Sequence, residues 1–198
     1  MRSASQKAQM VHNAEIHQVL AEDVSADEMW SFALKKQKKC QSVELLTGDC
    51  WIGLSLATDS GLILAACVGK HTDDFLKELV VSTQGKTDCT DWNTEGWGGY
   101  ERVLPPEIAH CIGKENTQRC SCELMEFLGN RRVAGIVVRT NLRLVWEQTR
   151  VTTRLVISYF NWIWVHSRKQ TTAAQRAGLA SASGVGMIYS IFLVYRIH

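Results

Sequence analysis

The chain has 198 residues, of which 45% are hydrophobic and 21% charged, with a formal net charge of +2. That length supports one main domain with a full core, and the composition is too polar for an integral membrane protein. The seven cysteines (Cys40, Cys50, Cys67, Cys89, Cys111, Cys120 and Cys122) include no C-x-x-C pair and no nearby histidine at zinc-ligand spacing, so they read as reduced thiols.

Residues 1–20 are polar and read as a frayed leader or one poor helix. The first thirty residues hold no apolar run of signal-peptide type, so a cytoplasmic location is expected. Asp27 to Leu34 turns apolar and aromatic and predicts a first strand. The run Lys35-Lys36-Gln37-Lys38-Lys39 after it predicts a basic turn. Trp51 to Leu56 alternates with period two, and Asp59-Ser60-Gly61 leads into the apolar run Leu62 to Val68, which together predict a hairpin. Thr72 suits a helix N-cap, Asp73 and Asp74 suit the first turn, and Phe75, Leu76, Leu79 and Val80 fall on one face that would cover the sheet. His71 reads as a surface or capping histidine at this junction.

The stretch Lys86 to Leu104 carries the most chemistry. Glu95 follows a short segment and precedes Gly96-Trp97-Gly98-Gly99-Tyr100, where three glycines are expected to let the backbone turn sharply and approach a ligand. Asp27 and Glu95, on separate elements, form a candidate metal-bridging pair, although either alone also suits an ordinary turn.

Pro105-Pro106 breaks the chain, and Ile108 to Ile112 predicts a short strand. Cys120 to Asn141 has no sustained period. Arg143 to Lys169 reads as one long helix whose run Leu155 to Val165 is too short to span a bilayer and packs on the sheet. Trp146, Tyr159, Phe160, Trp162 and Trp164 are expected in the core. Thr171 to Arg176 predicts a short helix start. Arg131 to Arg176 holds nine basic residues against the single acid Glu147, a footprint for a polyanion or a solvated helix face.

Taken together, Asp27-Glu28-x-Trp30, Glu95-Gly96-Trp97-x-x-Tyr100, Thr117-Gln118-Arg119 and Trp146 to Arg154 (WEQTRVTTR) resemble the catalytic half of a bacterial InsB-type transposase, of the first-numbered insertion-sequence family. The similarity is greatest to cyanobacterial copies. It runs from about Val19 to Leu179 and lapses over Cys120 to Leu142. It implies a leader over 1–20, a catalytic domain over 21–179 with 120–142 divergent, and a divergent tail over 180–198. The implied fold is α/β, a ribonuclease H-like mixed sheet with flanking helices. The implied activity is metal-dependent DNA cleavage and strand transfer in transposition, by three acids that hold Mg2+, with Mn2+ as substitute. Element ends, target DNA and further transposase copies are the implied partners, with no membrane.

Carried over by position, Asp27 matches the first acid, and Glu95 stands where the family has its second aspartate. The third acid is due two residues after Arg119, at Ser121, where there is none. Arg119, Arg143, Arg150 and Arg154 are the implied DNA-binding residues. Rereading Cys122 to Asn141 from the third base of each codon permits Arg-Thr-Asn-Gly-Ile-Leu-Arg-Gln-Gln-Thr-Gly, a family-like basic run, and the same shift suits Ala182 to Ser190. The chain therefore reads as a decayed copy with local frameshifts and impaired activity. The alternatives are a non-catalytic fragment that binds DNA or transposase subunits and inhibits an active element, and a product that misfolds.

Overall fold

The computed structural model describes residues 2–33, 37–39, 48–113 and 146–184. Three long strands, β1 (Val24–Ala33), β2 (Gly48–Ala57) and β3 (Leu62–Gly69), form an antiparallel meander. The β2–β3 turn closes where Gly61, at φ 70°, donates to the Ala57 carbonyl at 2.8 Å. Two short strands, β4 (Asp91–Thr94) and β5 (Ala109–Ile112), add in parallel on the other side of β1. The five-stranded order is β3-β2-β1-β4-β5, which makes β1 the central strand.

Helix α2 (Asp73–Gln84) covers one face as its sequence predicts. Thr72 accepts from the Phe75 amide, and Phe75, Leu76, Leu79 and Val80 are buried. Phe75 lies where side chains on two strands would otherwise be: a Cβ on Gly53 of β2 or on Gly69 of β3 would come within 2.8 Å of its ring. The ring can reach the sheet because both positions are empty. Short helix α3 (Gly99–Val103) packs beside α2, tied by a bidentate pair in which Arg102 donates to Asp73 at 2.9 and 2.7 Å.

The other face carries α1 (Arg2–Glu15) and α4 (Trp146–Trp162). Residues 1–20 thus take the second of their two expected forms. Ser5, Ala8, His12, Ile16 and Val19 are all buried, a stripe at helical spacing made partly of small and polar side chains. His12 donates from Nε2 to the Leu64 carbonyl at 2.7 Å, and its buried Nδ1 has no partner among the described residues. That neutral tautomer is enforced by burial, which lowers its pKa to about 4, with the nearby Lys86 charge acting the same way.

Helix α4 ends at Trp162 and does not continue to Lys169 as the sequence suggests. The Ile163 and Trp164 amides both turn back to the Tyr159 carbonyl, and Gln170 takes φ 54° before Thr172 opens α5 (Ala173–Arg176) with a reciprocal capping box. Trp146, Phe160 and Trp162 are buried as expected, and Trp164 is half-buried against Phe160, whereas Tyr159 is exposed. Asn161 does what a neighbouring strand would do for β3: its Oδ1 accepts from the Ile63 amide at 3.0 Å and its Nδ2 donates to the Ile63 carbonyl at 2.9 Å. Residues 114–145, which include Arg119, Ser121 and Arg143, the Lys35-Lys36 part of the basic turn and the tail beyond 184 lie outside the described residues. Among the described residues no helix is long and apolar enough to cross a membrane.

Replacing Asn161 by Leu strands a buried amide and a buried carbonyl together. Urea denaturation should show a loss on the order of 3 kcal/mol, larger than a change of similar volume elsewhere in α4.

Candidate active site

The central strand runs from the core to the rim. Val24, Ser25 and Ala26 are buried, and Asp27 and Glu28 are half-buried. On its parallel side, β1 pairs Val24 with Trp92, Ser25 with Asn93 and Ala26 with Thr94. The next residue on each strand is an acid, Asp27 on β1 and Glu95 just past β4. The parallel register therefore sets Asp27, inside β1, beside the end of β4, where Glu95 follows.

The turn that bears Glu95 is pinned through its backbone. The Glu95 carbonyl accepts from the Thr94 hydroxyl at 3.0 Å and from the Trp97 amide at 2.8 Å, and the same hydroxyl meets His110 Nε2 of β5 at 2.6 Å. The glycines contribute differently from the sequence expectation. None of Gly96, Gly98 and Gly99 adopts positive φ, and only Gly99 is crowded: a Cβ there would lie 2.7 Å from Leu76 and 2.9 Å from Trp97. Close packing of α3 on α2, rather than approach to a ligand, requires that glycine.

Glu28 is a residue that the motif contained but whose role the sequence did not reveal. Side chains alternate along a strand, so Glu28 points to the α2 face, opposite to Asp27. There its carboxylate accepts from the hydroxyl of Tyr100, a fully buried side chain of α3. The Asp27 Oδ1 accepts from the Glu28 amide at 2.8 Å. Burial, and then the negative charges of Asp27 and Glu95, raise the Glu28 pKa to about 7 against the lowering effect of the Tyr100 bond. Both predicted acids thus lie within electrostatic reach of one side chain.

An aromatic stack continues outward from this point. Tyr100 meets Trp97 edge-on at 6.2 Å, Trp97 stacks on His71 at 3.5 Å, and His71 stacks on Trp51 at 4.1 Å. His71 is exposed at the surface, as expected, but it is neither a cap nor isolated. Its partners are 20 and 26 residues away and could be found only once the strand register was known.

The described arginines lie elsewhere. Arg150 donates to the Val68 carbonyl of β3 at 3.4 Å, and with Arg154 it lines a cavity of about 230 Å³ bounded by Ala8, His12, Leu64 and Lys86. Strand β3 is two positions from β1 in the sheet, so Arg150 contacts a different strand from the one that carries Asp27.

Neither a family model nor a curated protein matches the chain. Among solved structures, it is similar to the catalytic core domain of BIV integrase, with a TM-score of 0.51 and 11% identity over 79% of this chain and 93% of that one. The fold is ribonuclease H-like. In this sheet the central strand β1 carries Asp27 within it, and its parallel neighbour β4 ends one residue before Glu95. The carboxylate oxygens fit a hard divalent cation in kind. Among the described residues no group of three His, Cys, Asp or Glu side chains is placed to hold a metal.

Two opposed pH slopes follow. Glu28 has a folded pKa above its unfolded value of 4.5, so its stabilising contribution is complete below pH 4.5 and is lost as the pH rises through 7. His12 has a folded pKa below its unfolded value of 6.5, so its contribution is complete above pH 6.5 and is lost as the pH falls through 4. Each is worth roughly 3 kcal/mol, so they nearly cancel in the wild type. Glu28→Gln should make stability fall more steeply on acidification, and His12→Gln should reverse the slope, both read from denaturation midpoints between pH 4 and pH 7.

Proposed function

We propose that the chain is the catalytic half of a DDE-type DNA transposase, an InsB-type member of the first-numbered insertion-sequence family and a decayed, cyanobacterial-type copy. The observation that carries this reading is the placement of Asp27 on β1 beside the end of β4, where Glu95 follows, in a ribonuclease H-like sheet. The likeness to an integrase catalytic core supports it at the level of fold, and the order of the sequence motifs supports the finer assignment.

Asp27 and Glu95 are the residues that would hold Mg2+ or Mn2+. When bound, such ions activate the attacking water or DNA 3'-hydroxyl and stabilise the leaving oxygen of the phosphodiester. The chain's own groups do the positioning. Tyr100 anchors Glu28, and through it the rim of β1, to α3, while the Thr94 hydroxyl and the Trp97 amide fix the turn after β4. Arg150 and Arg154, with Arg119 and Arg143 by sequence, supply positive charge for phosphates of element ends and target DNA beside the cutting point. Further transposase copies complete the assembly.

Activity of this copy is impaired on this reading. A glutamate at position 95 shifts its carboxylate by about one methylene, on a scale where roughly 1 Å costs about a hundredfold. Ser121 brings no carboxylate where the third acid is due, which favours a second reading: a fragment that binds DNA or transposase subunits without cutting.

The two readings separate in a nicking assay on inverted-repeat DNA with Mg2+ or Mn2+. The wild type should cut slowly or not at all, Glu95→Asp combined with Ser121→Glu should raise the rate by a hundredfold or more, and Asp27→Asn should abolish the gain. A repaired protein that folds and binds DNA yet never cuts leaves only the binding fragment. In a salt titration, Arg150→Ala with Arg154→Ala should flatten the log–log slope by about 0.9 for each phosphate that is no longer neutralised.

A further inference from the structure

We propose that the gap between Trp51 and Trp97 is a slot for one unpaired nucleobase, which His71 fills in the absence of DNA. This inference rests on the reading of the chain as a DNA-processing protein and names how that site would grip its substrate.

The geometry is that of a base sandwiched between two aromatic planes. The His71 ring is stacked on Trp51 at 4.1 Å and 22° and on Trp97 at 3.5 Å and 18°, so the two indoles flank a single ring. Every nucleobase offers the same planar face, and stacking on indole is indifferent to sequence. Desolvation lowers the His71 pKa, so at neutral pH the occupying ring is uncharged, like a base.

His71 is held only by this stacking. It is exposed, its ring nitrogens make no hydrogen bond among the described residues, and it sits at the apex of a tight turn in which the Thr72 amide donates to the Lys70 carbonyl at 2.9 Å. Rotation about its side-chain bonds therefore opens the slot without breaking a hydrogen bond or moving a strand. The two acids that open α2 beside it do not repel a DNA strand as free charges would, because Asp73 is paired with Arg102 and Asp74 with Lys77.

The slot lies on the α2 face of the sheet near the acids, whereas Asp27 points to the other face. Trp97 is two residues beyond Glu95, and Trp51 is paired with Trp30, three residues beyond Asp27 on β1. Three residues of strand span about 10 Å, the length of a few nucleotides at about 3.4 Å each. A strand cut at the carboxylates could lodge a base of its frayed end between the indoles.

The test uses the full chain without divalent metal and three labelled DNAs: a blunt duplex, the same duplex with a three-nucleotide single-stranded 3' end, and that end made abasic. The native overhang should bind roughly tenfold more tightly than the abasic one. Trp97→Leu should erase that difference while leaving blunt-duplex binding in place. His71→Ala should tighten binding of the native overhang alone, a gain that damage to the fold would not produce. Equal binding of native and abasic overhangs, with no effect of His71→Ala, overturns the slot and leaves the DNA reading standing. No binding of any of the three DNAs overturns both.

Discussion

Three rungs of parallel pairing between β1 and β4 determine what this molecule can do. The pairing is short, but it is locked from inside: Val24 and Ala26 are fully buried on β1, and Trp92 and Thr94 are buried opposite them. A slip of one residue would turn Trp92 and Thr94 out of the core and Asn93 into it, so packing alone holds the register. Because the register is fixed, the first residue past the buried part on each strand arrives at the same rim, and in both strands that residue is an acid.

Bringing carboxylates together costs stability. The cost is visible in Glu28, a neighbour driven towards its protonated form by burial and by the charges of Asp27 and Glu95. Tyr100 offsets part of it with a hydrogen bond from inside α3, and Gly99 gives α3 the close seat against α2 that puts the tyrosine there. The cost is thus shared with a helix outside the sheet. A divalent cation between the acids would relieve the same repulsion, which is why a cluster unfavourable on its own suits metal chemistry.

Much of this was legible in the sequence where the signal is local. The β2–β3 hairpin follows from period-two alternation around Asp59-Ser60-Gly61, and α2 follows from Thr72, its two acids and its apolar face. The stripe that seats α1 escaped notice because Ser5, Ala8 and His12 do not look like a core face. Strand β4 is four residues long and reads DWNT, too short and too polar to declare itself. Asp27 and Glu95 stood out through the motifs around them, but the Tyr100–Glu28 bond spans 72 residues and depends on which strands are neighbours. Likewise, the crowding that requires a glycine at position 99 comes from Leu76 and Trp97, which the local sequence around Glu95 does not show.

The seat of Phe75 between Gly53 and Gly69 has a bearing on which changes the chain tolerates. Each of those positions, if it gained even a methyl group, would force the Phe75 ring to shift, at a cost in stability. A carboxylate at the rim can be exchanged with little harm to folding, and its loss can even relieve repulsion. The two kinds of position therefore fail differently: the paired glycines guard the shape of the molecule, whereas the acids guard only what happens at its rim.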